Sequence, residues 1–124
     1  MRRATIRATR HFARNLEGIE ALLREVEAAA AFAALLDDLF GQAIPALEQF
    51  PDLGTDFFRR HPSTREAALL AGTLRERLGP GAALRELVRG DYLILYARRG
   101  DALYLLAIKH HRQLSFDFPE QWQD

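Results

Sequence analysis

The chain has 124 residues, the length of one domain, and leaves no room for a second independent one. Apolar residues make up 48% and charged residues 27%, the balance of a folded globular chain and not of a disordered one. There is no cysteine, which excludes a disulfide framework, a thiolate metal site and a cysteine nucleophile, and 17 basic residues cancel 17 acidic ones.

The cancellation is uneven. Residues 1–14 carry five arginines and no acid, whereas residues 15–58 carry one arginine against nine acids. Basic residues are again in excess from 59 to 112, and residues 113–124 hold three acids and no base. A net charge of zero is a poor attractor for nucleic acid, so no stable direct DNA binding by the chain alone is expected. The longest uninterrupted apolar run, residues 28–36, is nine residues long, about half a membrane span, so no membrane partner and a cytoplasmic location are expected.

In chain order, Ala4, Ile6 and Ala8 alternate with Thr5, Arg7 and Thr9, the period of a short strand with one buried face. Thr9 is placed to cap a helix whose stripe is Phe12, Leu16, Ile19, Leu23 and Val26. Gly18 lies inside that helix, at a cost of about 1 kcal/mol relative to alanine. A second stripe, Phe32, Leu35, Leu36, Leu39, Ile44 and Leu47, is out of phase with the first. A break near residues 28–30 follows, with two antiparallel helices in a hairpin. Pro45 lacks the N–H that would bond the carbonyl of Gly41, which predicts a kink. Phe50-Pro51 ends the helix and Pro51-Asp52-Leu53-Gly54 turns the chain.

Ser63-Thr64-Arg65-Glu66 matches a capping box, and Ala67, Leu70, Leu74 and Leu78 follow on one stripe, closed by Gly79-Pro80-Gly81. A third helix over 63–78 is expected. Strands follow at 83–88, 92–96 and 102–108, the last two apolar on both faces and therefore central. Gly90-Asp91 and Gly100-Asp101 fall in the turns between them. In residues 113–124, Leu114, Phe116 and Phe118 alternate with polar residues, which predicts an extended, packed tail. The fold class is α+β, in the order β-α-α-(α)-β-β-β, an antiparallel-rich sheet with a helical hairpin on one face.

Four stretches of the sequence, in this order, resemble the RelE/ParE family of toxins from bacterial type II toxin–antitoxin pairs. Residues 9–25, with the spacing Phe12, Leu16, Ile19, are similar to the family's opening helix. Phe50-Pro51-Asp52-Leu53-Gly54 resembles the element that ends its second helix. Leu84-Arg85-Glu86-Leu87 and Gly90-Asp91-Tyr92-Leu93-Ile94-Leu95-Tyr96 resemble its paired strands, and Gly100-Asp101 into Leu105-Leu106-Ala107-Ile108-Lys109-His110 its last strand and terminal histidine. The chain departs from the family in the 28 residues between Gly54 and Ala83, where a short loop is usual, and in lacking a C-terminal tyrosine that some RNA-cleaving members carry.

The resemblance implies a toxin that inhibits bacterial growth, needs no cofactor or metal, and is neutralised by a cognate antitoxin. Its target is DNA gyrase in the ParE-like branch, which the neutral charge, the single lysine and the missing tyrosine favour. In the RelE-like branch the target is the ribosome and the activity is mRNA cleavage. A non-toxic interaction module is the third reading.

If the chain cleaves RNA, His110 is the candidate general acid or base, with Arg85 and Lys109 stabilising charge on the phosphate oxygens. If it binds a protein target, Arg85, Arg89, His111 and Arg112 are the contact candidates. His110 and His111 are neighbours on a strand, point to opposite faces and cannot share a metal. Tyr92, Tyr96 and Tyr104 can each stack a base or fill a core, the second being the commoner fate.

Overall fold

The computed structural model describes residues 3–60 and 65–110, and within them the fold is mixed α and β, compatible with the α+β class. Strand β1 is Thr5–Ala8, followed by helices α1 (Arg10–Glu25) and α2 (Ala29–Asp38). A π-helical turn, Leu39–Ala43, leads into α3 (Ile44–Gln49). Then come the two-residue strand β2 (Thr55–Asp56), the short α4 (Phe57–Arg60) and α5 (Arg65–Leu78). The described residues finish with β3 (Ala83–Arg89), β4 (Tyr92–Arg99) and β5 (Ala102–His110). The five strands form one sheet in the order β1-β5-β4-β3-β2, antiparallel except for β1, which runs parallel to β5.

The meander β3-β4-β5 follows from its turns. Arg89 pairs with Tyr92 and Arg99 with Ala102, so each loop has two residues, Gly90-Asp91 and Gly100-Asp101. Both glycines sit at φ +58°, and a positive φ at the first loop position matches the type II′ turns that suit twisted strands.

Alternation sends Leu87, Ile94, Tyr96, Leu103 and Leu105 to one face, where they pack with Phe12, Leu35, Leu39, Ala43 and Leu47 from α1, α2 and α3. Leu84, Leu95 and Ala97 go to the other face and pack with Phe57 and with Leu74 of α5. A bulge in β5 opposite Leu95/Tyr96 breaks the alternation. Leu105 therefore belongs to the first core, Leu106 and Ala107 to the second, and Ile108 to the first again.

The first face is the expected one beneath the helical pair. Thr9 accepts from the N–H of Phe12 (3.3 Å), capping α1, and its hydroxyl donates to the carbonyl of Leu105 (2.9 Å), so the cap also anchors the helix to the sheet. The helices part where Glu27 takes φ +57°. This left-handed residue stops α1 without a glycine, and it puts Val26 outside the helix and 62% exposed, where the stripe predicts burial.

The expected kink at Pro45 is a change of winding instead. The N–H of Ile44 donates to the carbonyl of Leu39, five residues back, and so the chain enters the segment where Pro45 has no N–H to give through a π turn. Steps of four residues drift by about 120° over three steps in a pure α-helix, and the wider π turn takes part of that back. Leu35, Leu39, Ala43 and Leu47 thus all reach the sheet. The continuous helical run Ala29–Gln49 is 21 residues long, and an 18-residue stretch of it has mean hydropathy 1.3, long and apolar enough by composition to cross a membrane; one row of it, Leu35, Leu39, Ala43 and Leu47, is buried against the sheet.

The inserted segment is helical from Arg65 to Leu78 and covers the second face through buried Leu74 and half-buried Leu78. Ser63 and Thr64 of the expected capping box, the side chains of Ala67 and Leu70, and the tail 113–124 lie outside the described residues. Of the expected face, Ala4, just before β1, and Ile6 turn inward; Ala8 is exposed at the end of this short edge strand.

Candidate functional site

Three side chains of the meander line up across the sheet on the face that carries the helical pair. Arg89 of β3 is opposite Tyr92 of β4, and Tyr92 is opposite His110 of β5. The rings of Tyr92 and His110 meet edge to face, with centroids 5.6 Å apart and planes at 82°. Tyr92 is a wall shared by two clefts. One, of about 360 Å³, runs between α1 and the sheet and is lined by Arg14, Gly18, Leu22, Ile108 and His110 among others. The other, of about 390 Å³, lies between α2 and the β3–β4 turn and is lined by Leu35, Asp38, Val88 and Arg89 among others.

Asp38 fixes the position of Arg89. The guanidinium donates from Nε to Oδ2 (3.1 Å) and from Nη2 to Oδ1, the two-point geometry that suits arginine and a carboxylate. The hydrogen bond from Arg89 holds the Asp38 carboxyl below its ordinary value, and the same bond raises Arg89. Burial, then the charge of Asp91, raises the Tyr92 phenol, so it stays neutral and able to donate at physiological pH. The polar wall of the cleft is also tied to the fold: Asn15 Oδ1 accepts from the backbone N–H of Ile108 (3.0 Å), fixing α1 against β5.

The sequence candidates divide accordingly. Arg89 and His110 are brought together around Tyr92. Arg85 is on the same face but pairs with Tyr96, four residues along the strand from Arg89, about 13 Å away. There its Nε donates to the carbonyl of Gly54 (2.8 Å) and its Nη2 to that of Asp52 (3.2 Å). Lys109 is buried, and alternation from His110 turns it to the second face, where Glu86 is also buried. Arg85, Lys109 and His110 therefore form no common cluster, whereas His111 and Arg112 lie outside the described residues. Among the described residues no three His, Cys, Asp or Glu side chains are grouped to hold a metal ion.

Two members of the site had no strong signal in the sequence. Asp38 lies 51 residues from Arg89 on a different kind of element, and no spacing rule joins them. Tyr92 carried a signal, the aromatic spacing of β4, but that pattern reads as core, and the partly buried ring does pack against the core. No protein-family model matches the chain, and no curated protein matches it.

The charge of Arg89 is offset by Asp38, and the cleft walls are mostly apolar with a few fixed polar groups.

Proposed function

We propose that this chain is the growth-inhibiting toxin of a type II toxin–antitoxin pair of the RelE/ParE kind. It acts in the cytoplasm as a protein ligand of DNA gyrase and is neutralised by a cognate antitoxin. The observation that carries this reading is the contact between two of the stretches on which the resemblance rests. Gly54 of the Phe50-Pro51-Asp52-Leu53-Gly54 element gives its N–H to the hydroxyl of Tyr96 (2.9 Å), the last residue of the Tyr92-Leu93-Ile94-Leu95-Tyr96 stretch within β4. Segments that resemble one family in sequence and lock to each other in space support one fold more strongly than either does alone. The order β1, then α1 to α3, and a closing meander β3-β4-β5, with β2, α4 and α5 inserted before the meander, is compatible with it. The neutral charge and the offset guanidinium of Arg89 favour a protein target over RNA.

Expression of the chain alone arrests a bacterial host, co-expression of the adjacent small reading frame restores growth, and the purified protein blocks gyrase supercoiling. Normal colony counts from soluble, full-length product would sink the toxin reading. Arrest with unimpaired supercoiling would sink the gyrase reading alone. The second reading, a ribosome-dependent mRNA endonuclease, is favoured by one observation, the imidazole of His110 beside Tyr92 in an open cleft.

A further inference from the structure

Gly18 is an interior helix glycine that the fold does not require. Its φ is not positive, and a Cβ built there meets no heavy atom within 4 Å. Alanine would fit and would stabilise the helix. Gly18 instead forms part of the wall of the cleft between α1 and the sheet, and the next residue along the same face, Leu22, is a large apolar side chain left 59% exposed at the cleft edge. A hole and a knob thus sit one turn apart on one helix. At about 100° per residue they fall within about 40° of each other on the helix wheel.

Charges flank this pair in a matching way. Arg14 and Glu25 lie within about 20° of each other around the helix, on the same edge of the stripe, but at opposite ends, about 16 Å apart. Two such helices placed antiparallel, with the midpoint between Gly18 and Leu22 on a two-fold axis, put each Leu22 over Gly18 of the other copy. The same operation brings each Arg14 towards Glu25 of the other copy. A parallel pair would set like charge against like.

We propose that this face of α1 is an isologous interface that takes a second copy of the chain, Leu22 of each protomer filling the hole at Gly18 of the other. Self-complementarity in both shape and charge is what a two-fold interface demands. A single helix pair covers less surface than the roughly 800 Å² per partner of a standard stable complex, so the dimer is weak and forms with rising concentration. The inference does not rest on the toxin reading.

Sedimentation equilibrium of the full chain from about 5 to 500 μM tests it. The expected result is a monomer–dimer equilibrium. Leu22→Glu and Gly18→Leu each weaken it at least about tenfold. Gly18→Leu leaves thermal unfolding of the monomer unchanged or higher, since its surroundings are open, which separates loss of the interface from loss of the fold. Arg14→Glu and Glu25→Arg each weaken dimerisation, and the double exchange Arg14→Glu/Glu25→Arg restores it. A chain that stays monomeric throughout overturns the proposal. So does a dimer indifferent to Leu22→Glu and Gly18→Leu, or a double exchange no better than its singles.

Discussion

The hydroxyl of Tyr96 closes the turn at Gly54 onto the sheet. It accepts the N–H of Gly54 (2.9 Å) and donates to the carbonyl of Pro51 (2.9 Å), so one buried phenol satisfies both ends of the turn that leaves α3. Burial raises the phenol above its ordinary value and keeps it a donor. Arg85 and Arg98 reinforce the same turn, the first through the carbonyl of Gly54 and the second by an ion pair to Asp52 (2.6 Å). Residue 54 has no room for a side chain: a Cβ would lie 2.7 Å from the carbonyl oxygen of Glu86 and 2.9 Å from the Tyr96 hydroxyl.

Gly54→Ala is therefore expected to destabilise the fold by about 1–3 kcal/mol, because backbone as well as side chain must shift. Tyr96→Phe is expected to cost about 1–3 kcal/mol, since it leaves the polar groups at both ends of the turn without their partner. Urea unfolding measures both. The double variant should lose less than the sum, because the two changes break one contact. Strict additivity would show that the turn and the ring are independent.

The inserted helix makes a second core and not a loose flap. Leu74 is buried on the sheet face opposite the helical pair, against Leu84, Leu95 and Leu106, whereas Leu69 on the same helix is exposed. Leu74→Ala should cost about 2–5 kcal/mol and Leu69→Ala less than about 0.5 kcal/mol. Equal small losses in urea melts would mean that α5 does not contribute to the cooperative unit.

The pair Asp38–Arg89 predicts a particular acid response. The folded state holds Asp38 below its ordinary pKa, so the unfolded chain binds the proton more readily. The stabilisation is present above the unfolded value near 4 and is lost as pH falls through the lower folded value. Both side chains are about a third exposed, so solvent screening limits the effect to about 1 kcal/mol or less. Asp38→Asn should lower stability at pH 7 and narrow the gap to the parent below about pH 4. A gap that stays constant from pH 7 to pH 3 would remove Asp38 from the acid-sensitive groups.

Features set by local rules were legible in the sequence. The apolar runs of β4 and β5, the threonine cap, the two Gly-Asp turns and the Leu74-Leu78 step of α5 are all short-range patterns, and each appears where its pattern places it. What was not legible depended on contacts far apart in the chain or on a residue acting against its type. Glu27 ends α1 in a conformation that favours glycine, so no residue type marked the break. The two residues of β2 are a strand only because Glu86 and Arg85 pair with them. The bulge in β5 sends two successive apolar residues, Leu106 and Ala107, to one face, and an all-apolar strand gives no alternation from which to read it. At the site, Arg89 opposite Tyr92 follows from the two-residue turn at Gly90-Asp91, but Tyr92 opposite His110 depends on the bulge, since the turn at Gly100-Asp101 alone would set Tyr92 against Lys109, and Asp38 needed the packing of α2 on the sheet.

The sharpest functional test concerns His110. An endonuclease must move protons between the attacking 2′-hydroxyl, the phosphate and the leaving oxygen, work typically worth about 10²–10⁴ in rate. That work needs an acid, a base and a cation around one phosphate. Among the three candidates for it, only His110 opens on the cleft: Lys109 faces the other side of the sheet and Arg85 is bonded to the turn at Gly54. A toxin that acts by binding has no proton to move. There, truncating His110 removes an edge contact with Tyr92 and at most one contact to the target, and most interface residues cost less than about 1 kcal/mol when truncated. The gyrase reading therefore expects that His110→Ala and His111→Ala both remain toxic, and that the parent protein leaves ribosome-bound mRNA intact while supercoiling is blocked. Arg89→Ala should be the more damaging change, because it removes a positioned side chain at the cleft rim and leaves Asp38 without its two-point partner. Codon-positioned cuts in mRNA that disappear with His110→Ala would reverse the order of the two readings and make His110 the general acid or base.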